Sequence, residues 1–424
     1  MGVYGSQEGV LMMSLIEDKR KLNRLHFYLF LVIFASLVLR LYLAVHLEGY
    51  ERDQLFFVDW MNTVGKYGLG DVYAHGDLVN YPPFFLALLG IYGGILSFLN
   101  VYVEAAGVLI RIPSIAFEVV AIIIFAIVSK RIDNSIVRAA LVTFFAFSPA
   151  IMVDGTIWGQ VDMLHSILMV GSILLLMSKP TWSGAIYAIA LLAKFQSIVI
   201  APVFAMYFLK IIWEKREGKQ LIKFLIGFCI PLLIFGLYFA AHGTFITMLK
   251  QAYLNAVGTF PTVTVFAMNI WYYAIGTDPN MVDTIQILPH ITLKTVGLIF
   301  LSIAAALTCL YIFFHRHMNM AVLLKAATFI SFAFFMLPTQ IHERYAFPAL
   351  VFVIFLLLYE LKWTGIALGL TATIFLNIVM VLYAGFNTNM GMFIVIINVF
   401  IFYAMCKLLV KDYWDRLELL MKKQ

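Results

Sequence analysis

Charged residues are scarce in this chain. They make up 12% of its 424 residues, whereas 63% are apolar and the mean hydropathy is +0.95. Soluble globular domains carry about 25% charged residues. The composition therefore excludes a water-soluble enzyme, a disordered regulator and a secreted scaffold, and it indicates a chain whose solvent is a lipid bilayer.

Cysteine is scarce as well. Cys229, Cys309 and Cys406 each lie in an apolar stretch, which argues against a disulfide framework and against a zinc cluster. The formal net charge of +6 would suit nucleic acid, but the basic residues gather in short segments between apolar runs. Membrane topology explains that pattern, so we predict no nucleic-acid partner.

Long apolar runs predict the architecture. A membrane-spanning helix needs about 20 mostly apolar residues. We predict an all-α polytopic membrane protein with about 12 transmembrane helices, in the runs 26–48, 108–129, 136–153, 160–178, 182–195, 197–213, 220–241, 291–314, 320–337, 345–361, 363–384 and 388–410.

Basic residues orient these spans. Four of them between Lys19 and Arg24 place the N-terminus in the cytoplasm, and the first span is predicted to be a retained signal anchor. One further apolar stretch, Phe84–Leu99, would send every later basic loop outside if it crossed. We therefore predict that this stretch is interfacial or re-entrant.

This topology divides the chain into regions. The predicted outer segments after the first long loop are 154–159, 196, 242–290, 338–344 and 385–387. The predicted regions are a cytoplasmic segment 1–25, a membrane module 26–241 that includes the outer loop 49–107, an outer loop 242–290, a C-terminal membrane module 291–410 and a cytoplasmic tail 411–424.

An amphipathic helix is predicted in the first outer loop. Phe56, Trp60, Val64 and Tyr67 are spaced by four, four and three residues, so they form one apolar helix face that suits a membrane surface. Asp53 stands just before this helix. It is either a helix N-cap or a functional carboxylate.

Other polar residues recur at the predicted outer ends of spans. Asp154 and Asp162 flank a short turn, and capping explains one carboxylate more easily than two. Lys194 lies near the outer face, where the positive-inside rule disfavours a lysine. The segment His342–Arg344 offers two potential cations and a carboxylate, with a surface ion-pair cluster as the alternative.

Three further positions complete the candidates. Tyr81 precedes Pro82-Pro83, where a rigid structural turn is the favoured interpretation and a functional role is the alternative. Arg40 lies about two turns from the outer end of the first span, within reach of an interfacial anion. Arg111 and Glu118 lie about two turns apart on one predicted helix, and a structural pair between them is one explanation of both, although this spacing is long for a direct bridge.

These residue types fit the transfer of a group from a lipid-phosphate donor to a hydroxyl. A phosphate leaving group needs cations, which Lys194, His342, Arg344 or Arg40 would supply. The attacking hydroxyl needs one carboxylate to take its proton, and Asp53 is the best-placed candidate. A single essential carboxylate predicts an inverting single displacement, unlike the carboxylate pair of glycoside hydrolases.

The chain resembles the GT-C superfamily of integral-membrane glycosyltransferases, which use polyprenyl- or dolichyl-phosphate-linked sugars. It looks most like the bacterial and archaeal proteins related to GPI mannosyltransferases, and more distantly like the dolichyl-phosphate-glucose-dependent glucosyltransferases of N-glycan assembly. The resemblance extends from about residue 26 to 350. It is carried by Asp53 to Trp60, Tyr81-Pro82-Pro83, Trp158-Gly159-Gln160-Val161-Asp162, Lys194-Phe195-Gln196, Asn269-Ile270-Trp271 and His342-Glu343-Arg344-Tyr345.

The resemblance implies a seven-span GT-C module with two surface helices in the first outer loop, a variable remainder, and Asp53 as the catalytic base. It places the donor phosphate near His342, Arg344 and Lys194. Asp53 and Asp59 are six residues apart and do not form the acidic pair of metal-using relatives, so we predict no metal and no cofactor. The further substrate-binding residues are Asp154, Gln160, Asp162, Tyr81 and Arg40.

The implied partners are a polyprenyl- or dolichyl-phosphate-linked hexose, mannose-like by preference, a lipid-linked or cell-surface glycan acceptor, and membrane lipids. We expect a prokaryotic plasma membrane, or alternatively the endoplasmic reticulum, with the active site on the outer or luminal face.

Two other functions share this composition. A secondary transporter or a flippase for lipid-linked glycans would show duplicated halves and broken spans near the midplane. A membrane-integral ligase would share the outer site but take a larger donor.

Overall fold

The computed structural model describes residues 4–76, 78–255, 258–274, 280–384 and 388–421, and its regular structure is almost entirely helical. The described helices are α1 (Tyr4–His46), α2 (Glu51–Tyr67), α3 (Val72–His75), α4 (Pro83–Phe98), α5 (Ile112–Val128), α6 (Ser135–Ala146), α7 (Pro149–Ile151), α8 (Asp162–Leu176), α9 (Pro180–Ala193), α10 (Ala201–Lys215), α11 (Lys219–Ala241), α12 (Phe245–Leu249), α13 (Leu293–Phe314), α14 (Met320–Met336), α15 (Phe347–Leu356), α16 (Thr364–Val379) and α17 (Thr388–Met421). π-Helical segments occupy Met152–Trp158, Lys250–Leu254 and Met380–Ala384, and two short strands, β1 (Gln286–Leu288) and β2 (Ile291–Thr292), pair antiparallel.

Membrane-spanning length is reached by eight helical segments within the described ranges. They are Leu22–His46, Leu109–Arg131, Ser135–Trp158, Phe195–Lys215, Lys219–Ala241, Leu293–Phe314, Leu361–Tyr383 and Asn389–Asp412. This confirms an all-α polytopic membrane protein. The other four predicted spans coincide with the shorter apolar helices α8, α9, α14 and α15.

Two of these shorter helices, α14 and α15, form the centre of the molecule. All ten residues of α15 are buried, and nearly all of α14 is buried as well. Helices that are apolar all round belong in a core rather than at a surface. At 1.5 Å per residue, α15 covers about 15 Å, roughly half of a bilayer core, so its surroundings must complete any crossing.

The predicted turn at 154–159 is wrong. The chain stays helical through the π-helical segment Met152–Trp158, and it turns only at Gly159–Val161 before α8 begins at Asp162. Gly159 adopts φ +92°, and a β-carbon there would lie 2.9 Å from the Gln54 amide nitrogen. Both facts require glycine at the turn. The predicted outer segment 385–387 lies outside the described residues.

The predicted first outer loop contains α2, α3 and α4, which pack as one unit. Phe57, Trp60 and Met61 are buried on α2, so the buried face is rotated from the predicted one, and Tyr67 is exposed. A β-carbon at Gly90 of α4 would lie 2.4 Å from Val64 of α2. The glycine therefore permits the close contact between these two helices.

A second loop unit holds the segment before α15. The backbone N–H of Val265 donates to the carbonyl of Ile341, and that of Gln340 donates to Thr262, at 2.8 and 3.2 Å. The buried carboxylate of Asp283 accepts hydrogen bonds from the side chains of Thr339 and Gln340. The described residues 258–274 and 280–292 thereby fix the backbone that carries His342 and Arg344.

Candidate active site

The Asp53 side chain lies at the end of the helices where α1 stops and α5 starts. It belongs to the first turn of α2, which begins at Glu51, and makes no capping contact, so the N-cap alternative is wrong. Its Oδ2 atom accepts hydrogen bonds from Trp158 Nε1 at 2.9 Å and Gln160 Nε2 at 2.5 Å. Since no described residue donates to Oδ1 and the side chain is 23% exposed, one carboxylate oxygen remains accessible.

Tyr81 fixes the orientation of the Gln160 amide. The Tyr81 hydroxyl donates to Gln160 Oε1 at 3.3 Å, which leaves the amide nitrogen to donate to Asp53. The Tyr81 ring packs against Phe57 and Trp60 on α2. Burial raises the pKa of the Tyr81 hydroxyl, so it stays a proton donor at neutral pH.

Arg344 lies between three carboxylates. Its nitrogens are 2.5 Å from Glu343 Oε1, 3.6 Å from Asp53 Oδ2 and 3.6 Å from Asp162 Oδ2. Although burial opposes its charge, these carboxylates raise the pKa of Arg344 well above its usual range. The guanidinium also stacks 5.3 Å from the Trp158 ring centroid. Arg344 is therefore a fixed cation that links Asp53 to Asp162.

The second cation of the site is Lys194, which forms an ion pair with Asp162. Asp162 is the first residue of α8, and Lys194 follows the last residue of α9 in an extended conformation. The ammonium group lies 5.8 and 5.3 Å from the ring centroids of Tyr81 and Tyr345. We call Asp53, Trp158, Gln160, Asp162, Lys194 and Arg344 the Asp53 cluster.

His342 borders this cluster as a neutral group. Burial, followed by the nearby charges of Arg344 and Lys194, lowers the pKa of His342 well below 6.5. Its ring packs edge-on against Phe260 at 5.1 Å and lies 5.0 Å from Tyr345. These shifts favour the neutral imidazole over the second cation that the segment could offer, because an imidazolium would be desolvated beside two positive charges.

Glu343 is buried beside Arg344. Burial raises its pKa above the usual value, while the arginine opposes that shift. The carboxyl accepts the Arg344 hydrogen bond and lies 3.9 Å from the His342 ring. Glu343 was not among the predicted site residues, although it stands between two that were.

Asp154 lies beside the cluster, within the π-helical segment. Its side chain is 1% exposed, and neither carboxylate oxygen has a hydrogen-bond partner among the residues that the structure describes. The π-helical geometry that carries Asp154 also ends at Trp158, the donor to Asp53. π-Helical segments frequently occur at functional sites.

Arg40 does not join the Asp53 cluster, which corrects its predicted role at an interfacial anion. It is fully buried and pairs with Glu118 at 2.6 Å, and it also donates to the carbonyl of Ala146 at 2.8 Å. The Arg111–Glu118 pair is wrong as well. Arg111 instead donates to backbone carbonyls, including those of Ala44 and Leu47. A buried arginine takes the partners that packing brings to it rather than those nearest in sequence.

Trp158 is the main functional side chain that sequence reasoning missed. It donates to Asp53, stacks on Arg344 and lies 4.5 Å from the Tyr50 ring. The signal was available, because Trp158 precedes Gly159-Gln160 in a motif with two carboxylates. Within the described ranges, no group of three or more His, Cys, Asp or Glu residues could hold a metal ion.

No protein-family model matches the chain, and no curated protein matches it. Its function therefore has to be inferred from the geometry of the Asp53 cluster.

Proposed function

We propose that this protein is a glycosyltransferase that moves a hexose from a polyprenyl- or dolichyl-phosphate donor to a hydroxyl group of a membrane-associated acceptor. The observation that carries the proposal is the environment of the Asp53 carboxylate. One oxygen of its carboxylate is held by Trp158 and Gln160, and the other accepts no described hydrogen bond. A general base requires this combination of a fixed orientation and a free lone pair.

The transfer is an inverting single displacement. The acceptor O–H gives its proton to Asp53 Oδ1 while its oxygen forms a bond to the anomeric carbon of the sugar. The bond from that carbon to the phosphate oxygen breaks, and the lipid phosphate leaves with the electron pair. Since Trp158 and Gln160 act on Oδ2, they hold the base without competing for the transferred proton.

Lys194 and Arg344 are the groups that would stabilise the leaving phosphate. Each is paired with carboxylates, but the contacts of Arg344 to Asp53 and Asp162 are 3.6 Å, longer than a hydrogen bond. A bound phosphate would therefore contact cations that are already paired with carboxylates. His342, as a neutral ring, would contribute one N–H donor instead of a charge.

The proposed topology has twelve spans, with the Asp53 cluster on the outer or luminal face and α4 lying along the membrane. The close packing of α4 against α2, which Gly90 permits beside Val64, supports this placement. In such a site a polyprenyl tail would stay in the bilayer while the phosphate reached Lys194 and Arg344. The preference for a mannose-like hexose and a prokaryotic plasma membrane rests on the GT-C resemblance alone.

The activity is tested with purified protein and a panel of polyprenyl- and dolichyl-phosphate sugars in the presence of hydroxyl acceptors. Release of free lipid phosphate is measured by mass spectrometry. We expect one donor to be consumed and Asp53→Asn to abolish its consumption. Asp59→Asn is the matched control, since Asp59 is an exposed carboxylate on the same helix. Undiminished turnover by Asp53→Asn would remove this residue from the mechanism.

The orientation has its own test. After the three native cysteines are replaced by serine, Tyr102→Cys should react with an impermeant thiol reagent added outside intact cells. Tyr102 follows α4 and is 80% exposed, whereas the neighbouring Asn100 has φ +57° and tolerates substitution less well. Labelling from the cytoplasmic side alone would show that α4 crosses the membrane.

A further inference from the structure

An apolar groove runs along the opposite end of the helices from the Asp53 cluster. It lies between residues 26–37 of α1 and the last turns of α5, and its volume is about 510 Å³. Ligand pockets typically measure about 300–1,000 Å³. Phe30, Phe34 and Ile127 line it and are each more than half exposed, so the groove opens to the surroundings of the helix bundle.

Three basic side chains close one end of this groove. They are His26 before the first apolar turns of α1, Lys130 after α5, and Arg138 on α6. The Arg138 guanidinium is buried and is fixed by hydrogen bonds to Ser129 Oγ and the Ala126 carbonyl. Within the described part of the chain, no carboxylate lies at ion-pair distance from any of the three.

The groove therefore combines a long apolar wall with a positive end for which the described side chains supply no carboxylate partner. The basic end coincides with the predicted cytoplasmic ends of the first spans, because His26 and Lys130 lie where the positive-inside rule places them. The cytoplasmic leaflet is rich in anionic lipids, and basic pockets between transmembrane helices on that side bind anionic head groups. A neutral head group would leave the charges of Lys130 and Arg138 unmatched.

We propose that this groove binds one anionic phospholipid, with an acyl chain along Phe30, Phe34 and Ile127 and the phosphate at Lys130, Arg138 and His26. The site is separate from the Asp53 cluster, because Arg138 and Trp158 lie near opposite ends of the helical segment Ser135–Trp158, roughly 30 Å apart along it. Its occupancy consequently does not depend on the glycosyltransferase proposal. The chemistry that recognises the lipid is negative charge on the head group together with a hydrocarbon chain.

Binding is tested on the purified full-length protein by native mass spectrometry, with dioleoyl phosphatidylglycerol and dioleoyl phosphatidylcholine as the two probes. We expect phosphatidylglycerol to bind more tightly than phosphatidylcholine. Lys130→Gln should weaken phosphatidylglycerol binding about fivefold, as expected from about 1 kcal/mol per basic side chain near an anionic head group. It should weaken phosphatidylcholine binding less, because the choline ammonium group offsets the charge of that lipid's phosphate. Lys219→Gln, an exposed lysine at the start of α11, is the matched control and should change neither affinity.

A second variant tests the apolar wall. Ile127→Trp fills the groove and should weaken both lipids, whereas Ile303→Trp places the same ring at an equally exposed position of α13 and should have no effect. Equal affinity for the two lipids, or equal effects of Lys130→Gln and Lys219→Gln, would overturn the proposal. The Lys130 variant decides the matter even if Ile127→Trp fails to fold, since Lys130 is exposed at the surface.

Discussion

The Gln160 amide offers the sharpest test of how Asp53 is held. Gln160→Met keeps the length and volume of the side chain but removes the donor to Asp53 Oδ2 and the acceptor for Tyr81. A hydrogen bond to a charged group contributes about 1.5–3 kcal/mol. If that energy is used to hold the base in the transition state, kcat should fall roughly 10- to 150-fold.

The same perturbation should leave the KM for the lipid-phosphate donor nearly unchanged. The proposed phosphate contacts come from Lys194 and Arg344, and neither bonds to Gln160. Trp158→Phe should give a kcat loss of similar size. The double variant should lose less than the product of the two single losses, because both donors act on one oxygen and their effects are coupled.

The assay is the release of free lipid phosphate at saturating and limiting donor, with Gln220→Met as the matched control. Gln220 accepts one hydrogen bond from Tyr207 at 3.1 Å, near the start of α11 and far along the chain from the cluster. A Gln160→Met enzyme with unchanged kcat would refute the idea that fixed orientation of Asp53 drives the reaction. A rise in KM alone would move Gln160 into donor binding.

Three further predictions concern packing and charge. Gly90→Ala should destabilise the fold by about 1–3 kcal/mol, because its β-carbon would lie 2.4 Å from a methyl carbon of α2, whereas Gly94→Ala, with open space around it, should be neutral or stabilising in the same thermal-unfolding measurement. Arg40→Met should cost about 3–5 kcal/mol by leaving Glu118 unpaired in the interior, and Arg40→Met/Glu118→Gln should recover most of that stability and retain transfer activity. Burial and neighbouring cations depress the pKa of His342, so its contribution to stability is complete above pH 6.5 and is lost as the pH falls below that value. His342→Gln should therefore make the fall in Tm on acidification less steep. An unchanged slope of Tm against pH would contradict the pKa shift.

The helices and the candidate residues could be predicted because both depend on local sequence. Apolar runs identify spans whatever their partners are, and polar residues at the ends of such runs are costly enough to mark a site. Asp53, Asp162 and Lys194 were found in this way, and all three lie in the cluster. The apolar stretch before Leu99 was separated from the spans by charge parity, a global rule applied to local runs.

The partners of buried charges could not be predicted in the same way. Arg40 pairs with Glu118 from another helix, and Arg111 bonds to backbone carbonyls, because the crossing of helices decides which groups meet. The π-helical segment before Gly159 also escaped prediction. An extra residue per turn leaves the apolar pattern almost intact while it rotates Trp158 and shifts the turn by several positions.

The charge arrangement of the Asp53 cluster explains why its cations can be both fixed and usable. Lys194 and Arg344 are buried, so each would be costly without a carboxylate, and Asp162 serves both of them. Arg344 keeps one short contact, to Glu343, and two longer ones, to Asp53 and Asp162. The short contact anchors the guanidinium when no substrate is bound, and the longer contacts are the ones that an incoming anion could replace at small cost. The carboxylate that holds the cation is therefore distinct from the carboxylate that would take the proton, which allows one site to carry both charges without neutralising either.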